Sequence, residues 1–142
     1  MAVDKEDLKQ LYKEKIIPHT KQPFHFAKIP EAMQSVEAYN PLCGDKYTLY
    51  LNFNESGQLD GYFYGFGCAI SKASTSILLE NIQGMNKDQI ALFCKEFLAN
   101  IDSENAESIS DETLKVLNDI KYHDGRMDCV KLSWKNLYEA LT

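Results

Sequence analysis

The chain has 142 residues and a formal net charge of -6. This length is enough for one hydrophobic core, and we expect residues 1–142 to form a single domain. The acidic balance argues against a nucleic-acid partner, because proteins that bind nucleic acids present clustered Lys and Arg. We see neither an export signal nor a membrane-spanning run, so we expect a cytoplasmic protein with no membrane partner. Four cysteines in such a protein suggest reduced thiols used for metal binding or catalysis.

The first part of the chain is predicted to form a helix followed by an irregular segment. Apolar residues at helical spacing predict an amphipathic helix over residues 4–17 that ends at Pro18. Residues 19–32 contain Pro23 and Pro30, and we expect them to form a loop packed onto the domain.

Three strands are predicted next. A short strand is expected over residues 33–39. Alternating apolar and polar side chains predict a strand over residues 47–53, and an aromatic-rich segment predicts its partner over residues 59–66. The turn sequence Asn-Glu-Ser-Gly at 54–57 joins these two strands as a β-hairpin.

The rest of the chain has helical periodicity. One helix is expected from Cys68 towards Gly84, a second after an Asn86 cap, a third from Ser110 and a last one over residues 129–141. Strands followed by helices predict an α+β fold, with a small antiparallel sheet of about three strands packed against several helices.

A turn with the sequence Asn-Pro-Leu-Cys-Gly-Asp at 40–45 presents a thiol and a carboxylate two residues apart. Gly44 allows the backbone to tighten, so Cys43 and Asp45 can point to one place. Taken alone, the motif is more typical of an ordinary turn with an incidental cysteine. An Asp in such a turn more often accepts backbone N–H groups than binds a metal.

Two later cysteines lie where helices are predicted to begin. Cys68 follows a strand directly, and the N–H groups of a helix start favour a thiolate there, although a packing role for this residue is equally compatible with the sequence. Cys129 is expected to open the last helix, with Arg126 adding positive charge nearby or with both in structural roles. Cys94 lies on an apolar helix face and is predicted to be a core residue.

Histidines offer a different way to complete a site. His19, His25 and His123 lie in predicted loops, and no two of them have the i, i+4 spacing of a helical metal pair. His123 remains a candidate because its loop leads to Cys129, although a histidine in such a loop is more often a surface imidazole.

Three ordered motifs carry a resemblance to a known family. They are Asn-Pro-Leu-Cys43-Gly-Asp45, Gly-Phe-Gly-Cys68-Ala-Ile-Ser-Lys-Ala-Ser-Thr-Ser76 and Arg126-Met-Asp-Cys129-Val-Lys-Leu-Ser-Trp134. With these motifs, nearly the whole chain resembles the IscU/NifU-N family of iron–sulfur cluster assembly proteins. The SufU branch is the most similar, because 61 positions separate Cys68 from Cys129 and Arg126 stands where SufU-type proteins have arginine. Asp128 occupies the position where IscU-type proteins have histidine.

The resemblance implies a fold, a site and a partner. It implies an IscU/SufU-like domain with a tetrahedral zinc site made of Cys43, Asp45, Cys68 and Cys129, supported by Arg126. The implied partner is a pyridoxal-phosphate cysteine desulfurase of SufS type, whose persulfide sulfur passes to Cys43 after a desulfurase histidine replaces that thiol on zinc. Downstream iron–sulfur assembly proteins would then use the sulfur.

The resemblance leaves three functions open. The first is zinc-dependent sulfur transfer, which would make the protein a sulfurtransferase partnered with a desulfurase. In the second, a scaffold function, iron or a transient iron–sulfur cluster binds to the same cysteines. The third is a non-catalytic adaptor whose zinc is structural.

Overall fold

The computed structural model describes residues 10, 12–41, 44–102 and 127–142. Their elements follow the predicted order, with a first helical segment, then the strands and then the longer helices. A π-helical turn leads into the short helix α1, and three strands and three longer helices follow. Their bounds are Tyr12–Ile16 for the π-helical turn, Ile17–Lys21 for α1, Gln34–Asn40 for β1, Asp45–Phe53 for β2, Leu59–Phe66 for β3, Ala69–Ile82 for α2, Lys87–Asp102 for α3 and Met127–Leu141 for α4.

The three strands form one antiparallel sheet in the order β1-β2-β3. Asn40 pairs with Asp45 at one end of the β1–β2 ladder, and Lys46 pairs with Phe66 at the same end of the β2–β3 ladder. Side chains alternate between two faces, so Tyr47, Leu49 and Leu51 of β2 are fully buried on the inner face. The predicted α+β class and three-stranded sheet are therefore confirmed.

The helices α2 and α4 pack against each other on the inner side of the sheet. Their contact is partly polar, because Ser74 Oγ donates a hydrogen bond to the Val130 carbonyl at 2.7 Å. The buried indole of Trp134 on α4 stacks on Phe97 of α3 with ring centroids 3.8 Å apart, and its Nε1–H donates to Ser74 Oγ at 2.9 Å. Buried hydroxyls thus serve as partners within an otherwise apolar core.

Two helix boundaries differ from the sequence prediction, and β2 begins at Asp45, two residues before its predicted start. The first helical segment continues through Pro18 to Lys21, because Pro18 lies in the first turn of α1, where its missing N–H removes no helical hydrogen bond. His19 therefore lies in a helix and not in a loop. The last helix begins at Met127, two residues before the predicted start, with Asp128 in the favourable first turn.

Other predicted boundaries agree closely with the structure. The strand β3 has the predicted bounds, and Asn86 caps α3 by exchanging hydrogen bonds with Gln89 at 2.8 and 2.9 Å. The helix predicted from Ser110 lies outside the described residues. None of the helices in the described part of the chain is both long and apolar enough to cross a membrane.

Candidate metal centre

Three predicted ligand side chains meet at the end of the sheet where α2 and α4 begin. Asp45 is the first residue of β2, Cys68 is the N-cap of α2, and Cys129 lies in the first turn of α4. One carboxylate oxygen of Asp45 and the Sγ atoms of Cys68 and Cys129 all lie within 4.8 Å of one another. The fold thus brings together residues that are separated by up to 84 positions in the sequence.

Asp45 is fully buried, and its two carboxylate oxygens differ in their surroundings. The Oδ1 atom accepts a hydrogen bond from the backbone N–H of Cys68 at 2.8 Å. The Oδ2 atom is buried and has no hydrogen-bond partner among the described residues. A buried polar atom without a partner is unfavourable in a folded protein, so this oxygen is suited to bind a cation.

The start of α2 fixes the position of the Cys68 sulfur. Cys68 has the extended conformation of an N-cap residue, with φ −68° and ψ 162°, and its Sγ accepts the backbone N–H of Ser71 at 3.4 Å. Oxygen side chains usually fill this position, so the sulfur takes the place of a capping oxygen. The sulfur of Cys68 is therefore held in place by α2 on the side that faces Asp45.

Two hydroxyl groups, which the sequence prediction missed, support the position of Cys68. The Ser71 Oγ donates to the Cys68 carbonyl at 3.1 Å, and the Tyr47 hydroxyl lies 2.9 Å from Ser71 Oγ. Burial raises the pKa of Tyr47, so its hydroxyl stays protonated. Because the Ser71 hydroxyl donates to the Cys68 carbonyl, the Tyr47 hydroxyl is the donor in their contact. The signal in the sequence is the three-residue spacing of Cys68 and Ser71, which is that of an N-cap and the N–H group it accepts.

Gly67 allows these groups to approach closely. A Cβ atom at position 67 would lie 2.5 Å from Asp45 Oδ1, 2.6 Å from the Tyr47 hydroxyl and 2.7 Å from Ser71 Oγ. All three distances are shorter than van der Waals contact, so a larger residue would displace the carboxylate or the hydroxyls. The absence of a side chain at position 67 is a requirement of the site.

The three side chains fit zinc in chemistry and in separation. Zinc binds thiolates at about 2.3 Å and carboxylates at about 2.0–2.2 Å, so the ligand atoms of one tetrahedral ion lie roughly 3.5–3.8 Å apart. Separations up to 4.8 Å between these side-chain atoms can close to such a geometry by small rotamer changes. Asp45, Cys68 and Cys129 would supply three of four ligands.

The fourth predicted ligand, Cys43, lies outside the described residues, as do Arg126 and His123. The residues that flank this turn are described. Gly44 has φ +74°, which favours glycine, and its N–H donates to the Asn40 carbonyl at 2.8 Å. The expected tightening of the backbone at Gly44 is therefore observed, while the roles of Cys43 and Arg126 stay predictions.

The remaining candidate residues lie away from the cluster. Cys94 is fully buried in the core, where burial raises the pKa of its thiol to about 12, as expected for a packing cysteine. His19 Nδ1 contacts Ser76 Oγ at 2.7 Å. His25 stacks between Phe24 and Tyr62, with ring centroids 4.0 and 4.3 Å away. Among the described residues, neither histidine belongs to the cluster.

A cavity of about 300 Å³ lies at the same end of the domain, between the start of α4 and the end of β1. Asp128 lines it on the helix side, and Asn40 and Pro41 line it on the strand side. The cavity therefore borders both the residue before Cys129 and the residues that lead towards position 43. Asp128 itself is exposed and does not join the ligand cluster.

The fold and the cluster together define a small α+β protein with two cysteine side chains and one carboxylate grouped at the end of its sheet. Residues 11–142 match the family described as the NifU-like N-terminal domain. The chain is 34% identical to the iron–sulfur cluster assembly scaffold protein IscU of Thermotoga maritima over 133 residues, which cover 94% of each chain. The chain therefore belongs to the NifU-like N-terminal domain family, which includes the IscU and SufU proteins of iron–sulfur cluster assembly.

Two further relatives lie in the SufU branch. The zinc-dependent sulfurtransferase SufU of Bacillus subtilis is 30% identical over 136 residues, which cover 95% of this chain and 92% of the relative. The crystal structure of a SUF-system assembly scaffold protein, SufU, from Fervidobacterium islandicum superposes with a TM-score of 0.78 at 33% identity. The superposition covers 94% of this chain and 98% of the Fervidobacterium chain. The predicted resemblance to this family is thus confirmed.

Proposed function

We propose that this protein is a zinc-dependent sulfur acceptor that takes persulfide sulfur from a cysteine desulfurase for iron–sulfur cluster biogenesis. The observation that carries the proposal is the buried Asp45 carboxylate, whose Oδ2 has no partner among the described residues and which lies beside two cysteine sulfurs. A relative at 30% identity that is named a zinc-dependent sulfurtransferase supports the choice of metal and of reaction.

In this proposal Cys43, Asp45, Cys68 and Cys129 hold the zinc. The ion would keep its bound sulfurs as thiolates at neutral pH. The described ligands sit on regular elements, since Asp45 belongs to β2 and the two cysteines begin helices α2 and α4. Position 43 lies instead between β1 and β2 and belongs to neither strand. Cys43 is therefore the ligand best suited to exchange a bond during turnover.

The proposed reaction is a thiolate exchange at sulfur. The Cys43 thiolate attacks the terminal sulfur of the desulfurase persulfide and forms a new S–S bond. The S–S bond within the desulfurase breaks, and the desulfurase cysteine leaves as a thiolate. Cys43 then carries the persulfide, and no external oxidant or reductant is consumed. Asp45, Cys68 and Cys129 keep the site assembled throughout.

The decisive experiment combines metal analysis with a desulfurase assay. Purified protein is expected to contain about one zinc per chain, as a four-ligand site requires, and to accelerate alanine release by the desulfurase. Cys43→Ala should abolish that acceleration and leave the fold intact. Cys94→Ala provides a thiol-deletion control, because Cys94 lies in the core outside the cluster, and it should retain both zinc and acceleration. A wild-type protein that gives no acceleration would contradict the proposal.

The cluster-scaffold function is the second candidate, because the T. maritima relative is named an IscU scaffold protein. In that function the same cysteines bind iron and a transient cluster as cargo. Anaerobic incubation with iron and sulfide would then give a stable coloured species that transfers to an apo-ferredoxin. A protein that stays colourless with zinc bound favours sulfur transfer. A structural-zinc adaptor would instead keep full pathway activity in the Cys43→Ala variant.

A further inference from the structure

The outer face of the sheet exposes aromatic side chains close to the candidate metal centre. Phe66 is 68% exposed, Tyr39 is 57% exposed and Tyr64 is 40% exposed, and all three lie on strands. Leu92 is 56% exposed, which is comparable, but it lies on the helix α3 and not on a strand. A Phe exposed to this degree buries little area in folding, and a group of exposed aromatic residues is typical of an interaction surface.

These aromatic residues are aligned by the strand register. Tyr39 pairs with Lys46, and Lys46 pairs with Phe66, so the three side chains form one row across the sheet. The next row contains Tyr64, whose ring lies 5.0 Å from Lys28 Nζ. We name the five residues the aromatic–lysine patch: Lys28, Tyr39, Lys46, Tyr64 and Phe66.

The patch lies beside the metal centre in the chain as well as in space. Lys46 directly follows Asp45, and Phe66 precedes Cys68 by two residues. Tyr39 precedes Asn40, which pairs with Asp45 across the connection that contains position 43. Both strands that enter and leave this connection therefore present patch residues on their outer face.

The charge of the patch is opposite in sign to that of the whole chain. The chain has a net charge of -6, whereas the patch carries two lysines. Glu37, which pairs with Thr48 next to Tyr64, is the carboxylate in the same two rows. A patch of exposed aromatics with an excess of positive charge is complementary to an apolar recess surrounded by carboxylates.

We infer that the sulfur-donating cysteine desulfurase docks on the aromatic–lysine patch, with an apolar recess around Phe66 and carboxylates facing Lys46 and Lys28. This inference rests on the proposed function, because a donor that delivers sulfur to position 43 must cover the surface around the β1–β2 connection. Buried aromatics contribute much of the binding energy of protein interfaces, and charge complementarity mainly directs association. Phe66 is the expected anchor, and the lysines set orientation and on-rate.

The first test measures direct binding of the zinc-loaded protein to the SufS-type cysteine desulfurase of the same organism by calorimetry. Phe66→Ser should raise the Kd at least fivefold, while its zinc content and melting temperature match those of the wild type. Leu92→Ser removes an apolar side chain of similar exposure and should leave the Kd unchanged. A smaller rise for Phe66→Ser, or an equal rise for Leu92→Ser, overturns the inference.

The second test exchanges charges in neighbouring rows of the sheet. Lys46→Glu should weaken binding, and Glu37→Lys should strengthen it, because the partner surface is acidic. Added salt should reduce the difference between the two variants. Changes in the same direction, or no change in either variant, overturn the acidic partner.

The two proposals fail in different ways. A wild-type protein that binds the desulfurase through Phe66 but does not accelerate it retains the docking surface and refutes sulfur transfer. A wild-type protein that accelerates the desulfurase while Phe66→Ser binds equally well retains sulfur transfer and refutes the docking surface.

Discussion

The two faces of the sheet are built from alternate residues of the same strands, and they serve different ends. On the inner face, Tyr47, Leu49 and Leu51 are fully buried, and Asp45 points into the ligand cluster. On the outer face, Lys46 stands beside two exposed aromatic residues. Of the two neighbouring residues, Asp45 thus belongs to the buried cluster and Lys46 to the exposed surface. A three-stranded sheet with helices on one side can therefore hold a buried ligand cluster and expose aromatic residues at the same end.

The largest expected difference between the two faces is the loss of protein stability when an aromatic side chain is removed from each. Trp134→Ala removes a fully buried indole that stacks on Phe97 and donates to Ser74, so it should lower the free energy of unfolding by about 3–5 kcal/mol. Phe66→Ser on the outer face should change it by no more than about 0.5 kcal/mol. Urea unfolding of both variants measures the contrast, and equal losses would mean that the outer face also supports the fold.

The next largest effect concerns the charge of the buried carboxylate. Asp45→Asn keeps an oxygen that can accept the Cys68 N–H but removes the negative charge, so zinc affinity should fall by roughly 100-fold. Asp60→Asn makes the same change at an exposed position of β3 and should have no effect. Competition with a chromophoric chelator measures both affinities. Unchanged zinc binding by the Asp45→Asn variant would exclude Asp45 as a ligand.

A smaller effect is expected from the hydroxyl groups behind Cys68. Ser71→Ala removes the acceptor for Tyr47 and the donor to the Cys68 carbonyl, while its backbone N–H still reaches Cys68 Sγ. Residues that orient metal ligands typically contribute 10- to 100-fold in affinity, and we expect a loss of about tenfold here. Thr48→Ala on the outer face is the matched hydroxyl deletion. Equal zinc affinities in these two variants would show that Ser71 does not orient Cys68.

The smallest predicted effect is a pH dependence of the free energy of unfolding that arises from His19 on α1. Burial lowers the pKa of His19 below 6.5, although Glu80 partly opposes this shift. The unfolded chain therefore binds a proton more readily, so this stabilisation is complete above about pH 6.5 and declines as the pH falls through the folded-state pKa. Urea unfolding at pH 7.5 and 5.5 should show a smaller loss for His19→Gln than for the wild type. A loss in the His19→Gln variant that equals or exceeds that of the wild type would contradict the assignment.

Much of the fold follows from local sequence patterns. The aromatic-rich segment after the turn at 54–57 predicted β3 with its observed bounds, and the Asn86 cap and the apolar faces of α2 and α3 were evident from residue type and spacing. The π-helical turn before α1 and the passage of the helix through Pro18 were not predicted, because a proline that follows a helical segment can end it or can stand in the first turn of a new helix, as it does here. The early start of α4 was missed because Asp128 can end a loop or begin a helix equally well.

The site was predicted in part, for physical reasons that differ among its residues. Cys68 and Asp45 lie at element ends, which local patterns can locate, but only the packing of α4 against α2 brings Cys129 to them. The Tyr47 side chain alternates inward as expected for a strand, yet its hydroxyl contact with Ser71 depends on the position of a helix that begins later in the chain. Long-range contacts of this kind have no local signature.

The tight contact at Gly67 provides a way to sort related sequences. A methyl group there would lie within 2.7 Å of an oxygen of each of Asp45, Tyr47 and Ser71, so any residue larger than glycine would require these side chains to shift. A homologue that keeps the aspartate and the cysteines but has alanine or a larger residue at this position should therefore have a rearranged cluster. Glycine before the second cysteine is a residue to check beside the ligands when sequences of this family are compared.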